Sequence, residues 1–505
     1  MTGRGPGRRA RSPTLRARMS KTDNIIQDAS VYSGSLLLTQ FVTMAAAVIT
    51  RHFLGPVQMG VWSLVQVILN YSEYAALGTL TAVTLEIPYY YGKGDGEKAA
   101  SIKNTVFSFS VISSLFVACG VLIYAFYRRQ ALKEEFFYGL LFAAGLILLQ
   151  KLNGLLISLL RAYKHFSLAG RQMIYSALVN AFLIAALSSR FRLYGFMTAM
   201  ALSFVFNIVF ILKNADIRFR LAIKWAELVS LVRFGLPLMA IAMFSTFFET
   251  IDRLIISRYL GFEALGLYSI ALMAYAYINS VPNAIGIVMI PNIQEKFGRT
   301  ENKSDLKGYL QKSDLVYSAF IPALIALGWF LAPLAIHGFL PKFTGGILAM
   351  RLLMLSGYFV ALSQAYSQFI YVIRRHMALL PMFAFSCSVS ALLNWIAVRQ
   401  GAGIEGVAAA TTLAMLAHFT LIQAYASSHV FSFIEMAKNY VVAILKFILM
   451  TVLLFAIDRW VRLPNPFINP MLQTGIFMAA YSPFLIDAEK KFHFISLLRE
   501  RIGKR

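Results

Sequence analysis

Ionisable side chains are sparse in the long apolar runs of this chain, and eight in or beside these runs are candidates for chemistry. They are Arg51, Glu73, Lys151, Glu249, Asp252, Arg253, Arg258 and Lys446. A charge in hydrocarbon costs several kcal/mol, so such a side chain normally lies in a hydrated cavity or beside a partner. These residues are therefore the first candidates for a binding site or for an ion pair.

Lys151 is the most informative of them. It lies about ten residues from the C-terminal end of the apolar run 136–160, or about 15 Å at 1.5 Å per residue. That depth is near the bilayer midplane, and Gln150 and Asn153 give this part of the run a polar side. Two interpretations stay open: an anion site on the wall of a hydrated cavity, or an ion pair with a carboxylate such as Glu73.

The acidic candidates allow two roles as well. Glu249 and Arg253 have the i, i+4 spacing, with the acid first, that favours a local ion pair on one helix. Asp252 points about a quarter turn away and is predicted to pair elsewhere or to bind a cation. Glu73 is a candidate for uptake of a proton or sodium ion, and Lys446 for contact with a lipid headgroup or a neighbouring helix.

The elements that carry these residues are predicted to be membrane-spanning helices. Of the 505 residues, 58% are apolar and 14% charged, with a mean hydropathy of +0.66. Apolar runs near twenty residues are long enough to cross about 30 Å of hydrocarbon, where only a helix satisfies the backbone. About fourteen such runs occur: 30–50, 57–80, 104–127, 136–160, 168–188, 193–213, 232–257, 264–290, 314–339, 346–373, 377–398, 403–427, 437–457 and 467–487.

One phrase occurs twice in the chain. Leu54-Gly55-Pro56 with Gly60 is matched by Leu260-Gly261-Phe262 with Gly266, an offset of about 206 positions. Gly55 and Gly60 lack the Lys-Ser or Lys-Thr of a phosphate loop, and we expect both to form a tight interhelical turn. Duplicated sets of membrane helices are typical of secondary transporters, whose related halves move about a shared site.

The repeat predicts an all-α polytopic protein with two pseudo-twofold lobes of six helices each. The expected division is a disordered basic N-terminus 1–29, an N-lobe 30–228, a C-lobe 229–430, two extra helices in 431–488 and a basic tail 489–505. We expect residues 217–228, which join the lobes, to form an amphipathic helix on the membrane surface.

The net charge of +24 is explained by membrane topology. With both termini in the cytoplasm, about 32 Lys and Arg residues lie on that side and about 12 on the other. Nucleic-acid binding is not expected, because no module for it is present. Basic loops are instead expected to contact anionic lipids.

The sequence offers no motif for catalysis, a metal or a cofactor. Cys119 and Cys387 both fall inside apolar runs, and no pair of the seven histidines has metal-ligand spacing on one helix. We therefore expect no enzyme activity, no metal and no cofactor. Tyrosines gather near the repeated hairpins, where we favour an interfacial position over contacts with a sugar. They are Tyr71, Tyr74, Tyr89, Tyr90, Tyr91, Tyr268, Tyr275 and Tyr277.

Around the repeated phrase the chain resembles the bacterial polysaccharide repeat-unit flippases of the Wzx type. They belong to the MATE-like MOP exporter superfamily, which also includes multidrug extruders and the lipid II flippase. The resemblance covers about residues 25–430, and its matching stretches are 50–60, 234–237 with Phe-Gly-Leu-Pro, 252–256 with Asp-Arg-Leu-Ile-Ile, 260–268 and 282–291.

The resemblance implies flipping of a polyprenyl-diphosphate-linked oligosaccharide across the bacterial inner membrane by alternating access. Such transport supplies O-antigen, capsule or exopolysaccharide synthesis, beside a polymerase and glycosyltransferases. A diphosphate needs positive charge in a low-dielectric cavity, and burial and charge in this sequence nominate Arg51, Lys151, Arg253 and Arg258. The alternative is a cation-coupled multidrug exporter of the same superfamily, which Glu73, Glu249 and Asp252 would serve.

Overall fold

The computed structural model describes residues 13–492, and in this part of the chain it contains fourteen α-helices and no β-strand. The helices are α1 Pro13–Ser72, α2 Thr79–Gly92, α3 Gly96–Tyr127, α4 Glu134–Ala162, α5 Phe166–Asn214, α6 Trp225–Phe248, α7 Ile251–Tyr259, α8 Gly261–Thr300, α9 Lys307–Phe339, α10 Ile347–Val372, α11 Leu379–Arg399, α12 Gly403–Ser427, α13 Phe433–Trp460 and α14 Ile468–Phe492. Short 3₁₀ turns occur at Glu73–Ala76, Lys303–Leu306, Pro341–Gly346 and His376–Ala378.

Every predicted apolar run lies in one of these helices or across a short break between two. Eleven helical segments of the described chain are long and apolar enough to span a membrane. Two of them, Leu38–Ala76 and Phe166–Asn214, each hold two predicted runs, with the backbone turning at Gly55 and at Arg192. The prediction of an all-α polytopic membrane protein is confirmed.

The run 232–257 is not one helix, as predicted, but two. α6 ends at Phe248 and α7 begins at Ile251. At the break, the Thr250 hydroxyl donates to the carbonyl oxygen of Thr246 at 2.7 Å, a local bond that competes with regular helix. Glu249 and Arg253 therefore do not share a continuous helix. Their i, i+4 spacing in the sequence no longer places the two side chains on one side of a helix.

The predicted surface helix at 217–228 is wrong, because residues 216–224 are not helical and α6 begins at Trp225. Polar side chains of α3 instead accept hydrogen bonds from the backbone N–H groups of this segment. Arg220 donates to Asn104 at 3.1 Å, and Ala222 donates to Ser108 at 2.9 Å. These bonds replace those that a helix would have made, so the segment stays extended along α3.

The chain divides into two compact units that do not follow its order. The first comprises Met1–Thr50, Ala75–Tyr127 and Leu141–Gly235, and the second Arg51–Tyr74, Arg128–Leu140 and Leu236–Arg505. The N-lobe and C-lobe boundaries at 30–228 and 229–430 stay a prediction. α1 begins at Pro13 within the segment expected to be disordered, whereas residues 1–12 and 493–505 lie outside the described residues.

Inside the second unit the two repeated hairpins pack against each other reciprocally. A Cβ atom on Gly60 would overlap the backbone carbonyl of Phe262, and one on Gly266 would overlap that of Pro56. Gly55 and Gly261, with φ of 70° and 87°, form the predicted turns. Gly60 was expected to form the turn as well, and that prediction is wrong. Gly60 and Gly266 instead let two backbones approach closely.

The two extra helices α13 and α14 also belong to the second unit. Arg351 of α10 forms a double ion pair with Asp458 of α13, at 2.9 and 3.1 Å. The hydroxyl of Tyr481 in α14 donates to the Ser318 carbonyl of α9 at 2.8 Å. Polar contacts therefore hold both helices to α9 and α10 in addition to apolar packing.

Candidate functional site

Lys151 lies in the middle of α4 with only 1% of its surface exposed. Apolar residues of the first unit follow it along the same helix, including Leu155, Leu156 and Leu159. A lysine this deep in an apolar helix is uncommon and marks a functional or ion-paired position. Both interpretations drawn from the sequence stay open for it.

A cavity of about 270 Å³ with several amide side chains in its lining lies in the first unit. Asn153, two residues further along α4 than Lys151, lines this cavity, although Lys151 itself does not. The buried Oδ1 atom of Asn153 has no hydrogen-bond partner in the described part of the chain. The cavity is therefore suited to hold water or a polar ligand.

Amides and one cation give this cavity its chemistry. Gln172 of α5 donates to Asn207 at 2.9 Å, and Asn207 donates to Ser176 at 2.7 Å. Arg161, at the C-terminal end of α4, is the charged residue that lines it. The site is electropositive and rich in hydrogen-bond donors, as an anionic ligand requires.

In the second unit, Arg51 and Asp252 bind neighbouring residues of α8. The Arg51 guanidinium donates to Ser269, from Nε to the hydroxyl at 3.2 Å and from Nη2 to the carbonyl at 2.9 Å. Asp252 accepts a hydrogen bond from the Tyr268 hydroxyl at 2.8 Å. Contacts within the protein thus use donors of Arg51, and Asp252 is hydrogen-bonded to Tyr268. The predicted roles of Asp252 in an ion pair or in cation binding stay predictions.

The other candidates of the second unit lie around the α6–α7 break or at the end of α7. Arg253 is near enough to interact electrostatically with Glu249 and Asp252, yet the described ion pairs include none between Arg253 and Glu249. Arg258 is exposed, with its guanidinium 6.0 Å from the Tyr259 ring centre. Glu73 is half-buried in the turn Glu73–Ala76.

The structure thus brings Glu249, Asp252 and Arg253 together, whereas Arg51 lies on α1 and Lys151 belongs to the other unit. Lys446 donates to Ser318 of α9 at 2.8 Å, so its neighbouring-helix contact is observed. It also lines a cavity of about 580 Å³ beside α9, α13 and α14, together with Asp314 and Asp487.

A second-unit cavity of about 380 Å³ escaped the sequence analysis. Residues of α6, α8, α10, α11 and α12 line it, and most of its polar members are uncharged. Tyr275, Asn279 and Asn283 occur at four-residue intervals on α8, which places them on one side of that helix. That spacing is the signal by which the sequence could have indicated this cavity.

The chain shares features with known protein families. Residues 95–340 match the model of a family described as polysaccharide biosynthesis protein. Comparison with curated proteins gave no significant match.

Several solved structures have the same fold. An inward-facing multidrug resistance MATE family transporter of the MOP superfamily is 16% identical, with a TM-score of 0.66, covering 77% of this chain and 95% of its own. The lipid II flippase MurJ, in an inward closed conformation, is 15% identical with a TM-score of 0.67. The match covers 91% of this chain and 99% of the MurJ chain.

A third similar structure is a MOP superfamily transporter from Pyrococcus furiosus. It is 17% identical, with a TM-score of 0.51, covering 80% of this chain and 95% of its own. The resemblance inferred from the repeated phrase is therefore supported both by the family match and by the architecture. The chain is an all-α, multi-pass membrane protein with the fold of the MOP-superfamily transporters.

Proposed function

We propose that this protein flips a polyprenyl-diphosphate-linked oligosaccharide from the cytoplasmic to the outer leaflet of the bacterial inner membrane. The observation that carries the proposal is the match of residues 95–340 to the polysaccharide biosynthesis family. Lys151, Arg161, Arg253 and Arg258 all fall inside the matched stretch. Both termini then face the cytoplasm, and the repeat unit supplies surface polysaccharide synthesis with its polymerase and glycosyltransferases.

The electrostatics of the first unit fit the anionic end of such a substrate. A diphosphate loses hydration when it enters a membrane protein, and only nearby positive charge and donors compensate that loss. Lys151 supplies a buried ammonium, and the cavity lined by Asn153 of the same helix adds Arg161 and a set of amides. Alternating access would present this site first to one leaflet and then to the other.

A cation-coupled multidrug exporter is the second candidate, because Glu249 and two tyrosines line the cavity of the second unit. A carboxylate among aromatic rings suits an organic cation. The length of the chain favours the flippase, since MurJ covers 91% of it and the MATE transporter 77%. Wild-type drug sensitivity in a deletion strain would argue against the exporter.

A deletion strain tests the flippase directly. Loss of the protein should remove the surface polysaccharide and trap lipid-linked repeat units in the cytoplasmic leaflet, because their polar head does not cross the bilayer unaided. Surface polysaccharide is measured by gel staining, and lipid-linked units by extraction and mass spectrometry. Restoration by the plasmid-borne gene is the control. Normal surface polysaccharide in a strain without a paralogue would refute the proposal.

A further inference from the structure

The cavity of the second unit differs from that of the first in its ionisable residues. Among the described residues that line it there is an acid, Glu249, and no lysine or arginine. A diphosphate would therefore find no cation in the lining to compensate its lost hydration. The cavity therefore suits a different part of the substrate, or a different ligand.

Three buried polar atoms in this cavity make no hydrogen bond of good geometry in the described part of the protein, although the Tyr275 hydroxyl lies near Asn279. They are the Tyr275 hydroxyl, Oδ1 of Asn279 and the Ser363 hydroxyl. Only 6% of Ser363 is exposed. Buried polar groups that stay unpaired are costly, so native proteins normally pair them with water or with a ligand.

Further polar and aromatic side chains complete the lining. Gln364 of α10 donates to Asn283 of α8 at 2.6 Å, which fixes the orientation of two amides. Phe248, Phe383 and His418 form one aromatic cluster, with the two phenylalanine ring centres 5.0 and 4.7 Å from the imidazole and 6.5 Å from each other. Amides and hydroxyls beside aromatic surface match a sugar ring, which carries hydroxyls at its edge and C–H groups on its faces.

We propose that this cavity, between α6, α8, α10, α11 and α12, binds the saccharide part of the transported lipid. Its volume of about 380 Å³ lies within the range of roughly 300–1,000 Å³ typical of small-molecule sites. The inference rests on the proposed function and extends it: hydroxyls and amides of the second unit recognise the sugar of the transported lipid.

The test compares two probes on purified full-length protein in nanodiscs. One is undecaprenyl diphosphate without sugar, and the other is the lipid-linked repeat unit extracted from the deletion strain. The double variant Tyr275→Phe/Asn279→Ala removes the unpaired hydroxyl and amide but keeps the aromatic ring. It should bind the sugar-bearing lipid about tenfold more weakly, as expected for lost hydrogen bonds, and the bare carrier with unchanged affinity.

Two controls separate binding from folding. Ser280→Ala, one residue from Asn279 but outside the cavity lining, removes a local bond to Tyr277 and should leave both affinities unchanged. The double variant should also keep the wild-type melting temperature, because the Tyr275 ring is retained and neither the Tyr275 hydroxyl nor Oδ1 of Asn279 makes a hydrogen bond of good geometry within the described protein.

The outcomes distinguish this inference from the proposed function. If the wild type binds neither lipid, the flippase proposal fails and the inference with it. If the wild type binds both lipids but the double variant affects them equally or not at all, only the saccharide site is refuted. If the double variant abolishes binding of ethidium while lipid binding persists, the cavity belongs to an organic cation, and the inference is again overturned.

Discussion

Replacing Gly266 with valine is expected to prevent stable folding of the second unit. A Cβ atom at this position would overlap the backbone carbonyl of Pro56, and backbone cannot rotate away as a side chain can. Overpacking a tight contact typically costs about 1–3 kcal/mol, and a clash with main chain should lie at or above the upper end. Yield of monodisperse protein in detergent and melting temperature measure the effect.

The equivalent glycine of the other hairpin provides a second test, and a glycine of α4 provides a control. Gly60→Val should cause a similar loss, because Gly60 meets the carbonyl of Phe262 at the equivalent position of the other hairpin. Gly145→Val in α4 should be tolerated, since nothing in the described structure lies within 4 Å of a Cβ atom there. Wild-type stability of the Gly266 variant would contradict the reciprocal packing.

Lys151→Glu is expected to reduce transport about a hundredfold or more while the protein still reaches the membrane. The substitution replaces a buried attraction for the diphosphate with a repulsion, and such terms amount to several kcal/mol at low dielectric. Lys151→Arg keeps the charge and should retain part of the activity. In the same cells, the amount of surface polysaccharide measures transport, and the amount of the protein in the membrane fraction shows whether the variant reaches the membrane.

Lys93→Glu is the matched control for this charge reversal. Lys93 is an exposed cation of the same unit, in the loop between α2 and α3, and its reversal should leave transport unchanged. Loss of the protein itself in Lys151→Glu and in Lys151→Met would assign Lys151 to a structural ion pair. Full transport by Lys151→Glu would remove it from the substrate site altogether.

The length of the apolar runs sufficed to predict an all-α membrane protein. A run of membrane-spanning length must be mainly helical, and each one lies in an observed helix or across a short break between two. The repeat of Gly55 and Gly60 at Gly261 and Gly266 indicated two related hairpins. Because a glycine can serve either a turn or a close contact, the sequence did not predict that the hairpins meet through Gly60 and Gly266.

Local competition between hydrogen bonds explains where the sequence-based predictions failed. The extended segment 216–224 depends on side chains of α3, more than a hundred residues earlier, which no helical pattern within the segment reveals. The break after Phe248 depends on threonine hydroxyls that bond to their own helix. Both features arise from polar side chains that a hydropathy profile treats as neutral.

The second-unit cavity was missed for a related reason. Its polar residues are distributed over five helices, and Asn, Gln and Ser attract less notice in a membrane helix than charged residues do. Charge alone directed the sequence analysis to Lys151 and the arginines, of which Arg51 is bonded to Ser269 within the protein. Regular spacing of polar residues on one side of a helix was the usable signal, as at Tyr275, Asn279 and Asn283.

Reconstitution of the purified protein tests the central claim most directly. Vesicles would contain the lipid-linked repeat unit with a fluorophore on its sugar, and an impermeant quencher would be added outside under an imposed proton or sodium gradient. Protein-free vesicles should lose about half of the signal, since two leaflets share the lipid, and vesicles with wild-type protein nearly all of it. Quenching that stops at about half with wild-type protein under both gradients would contradict the account.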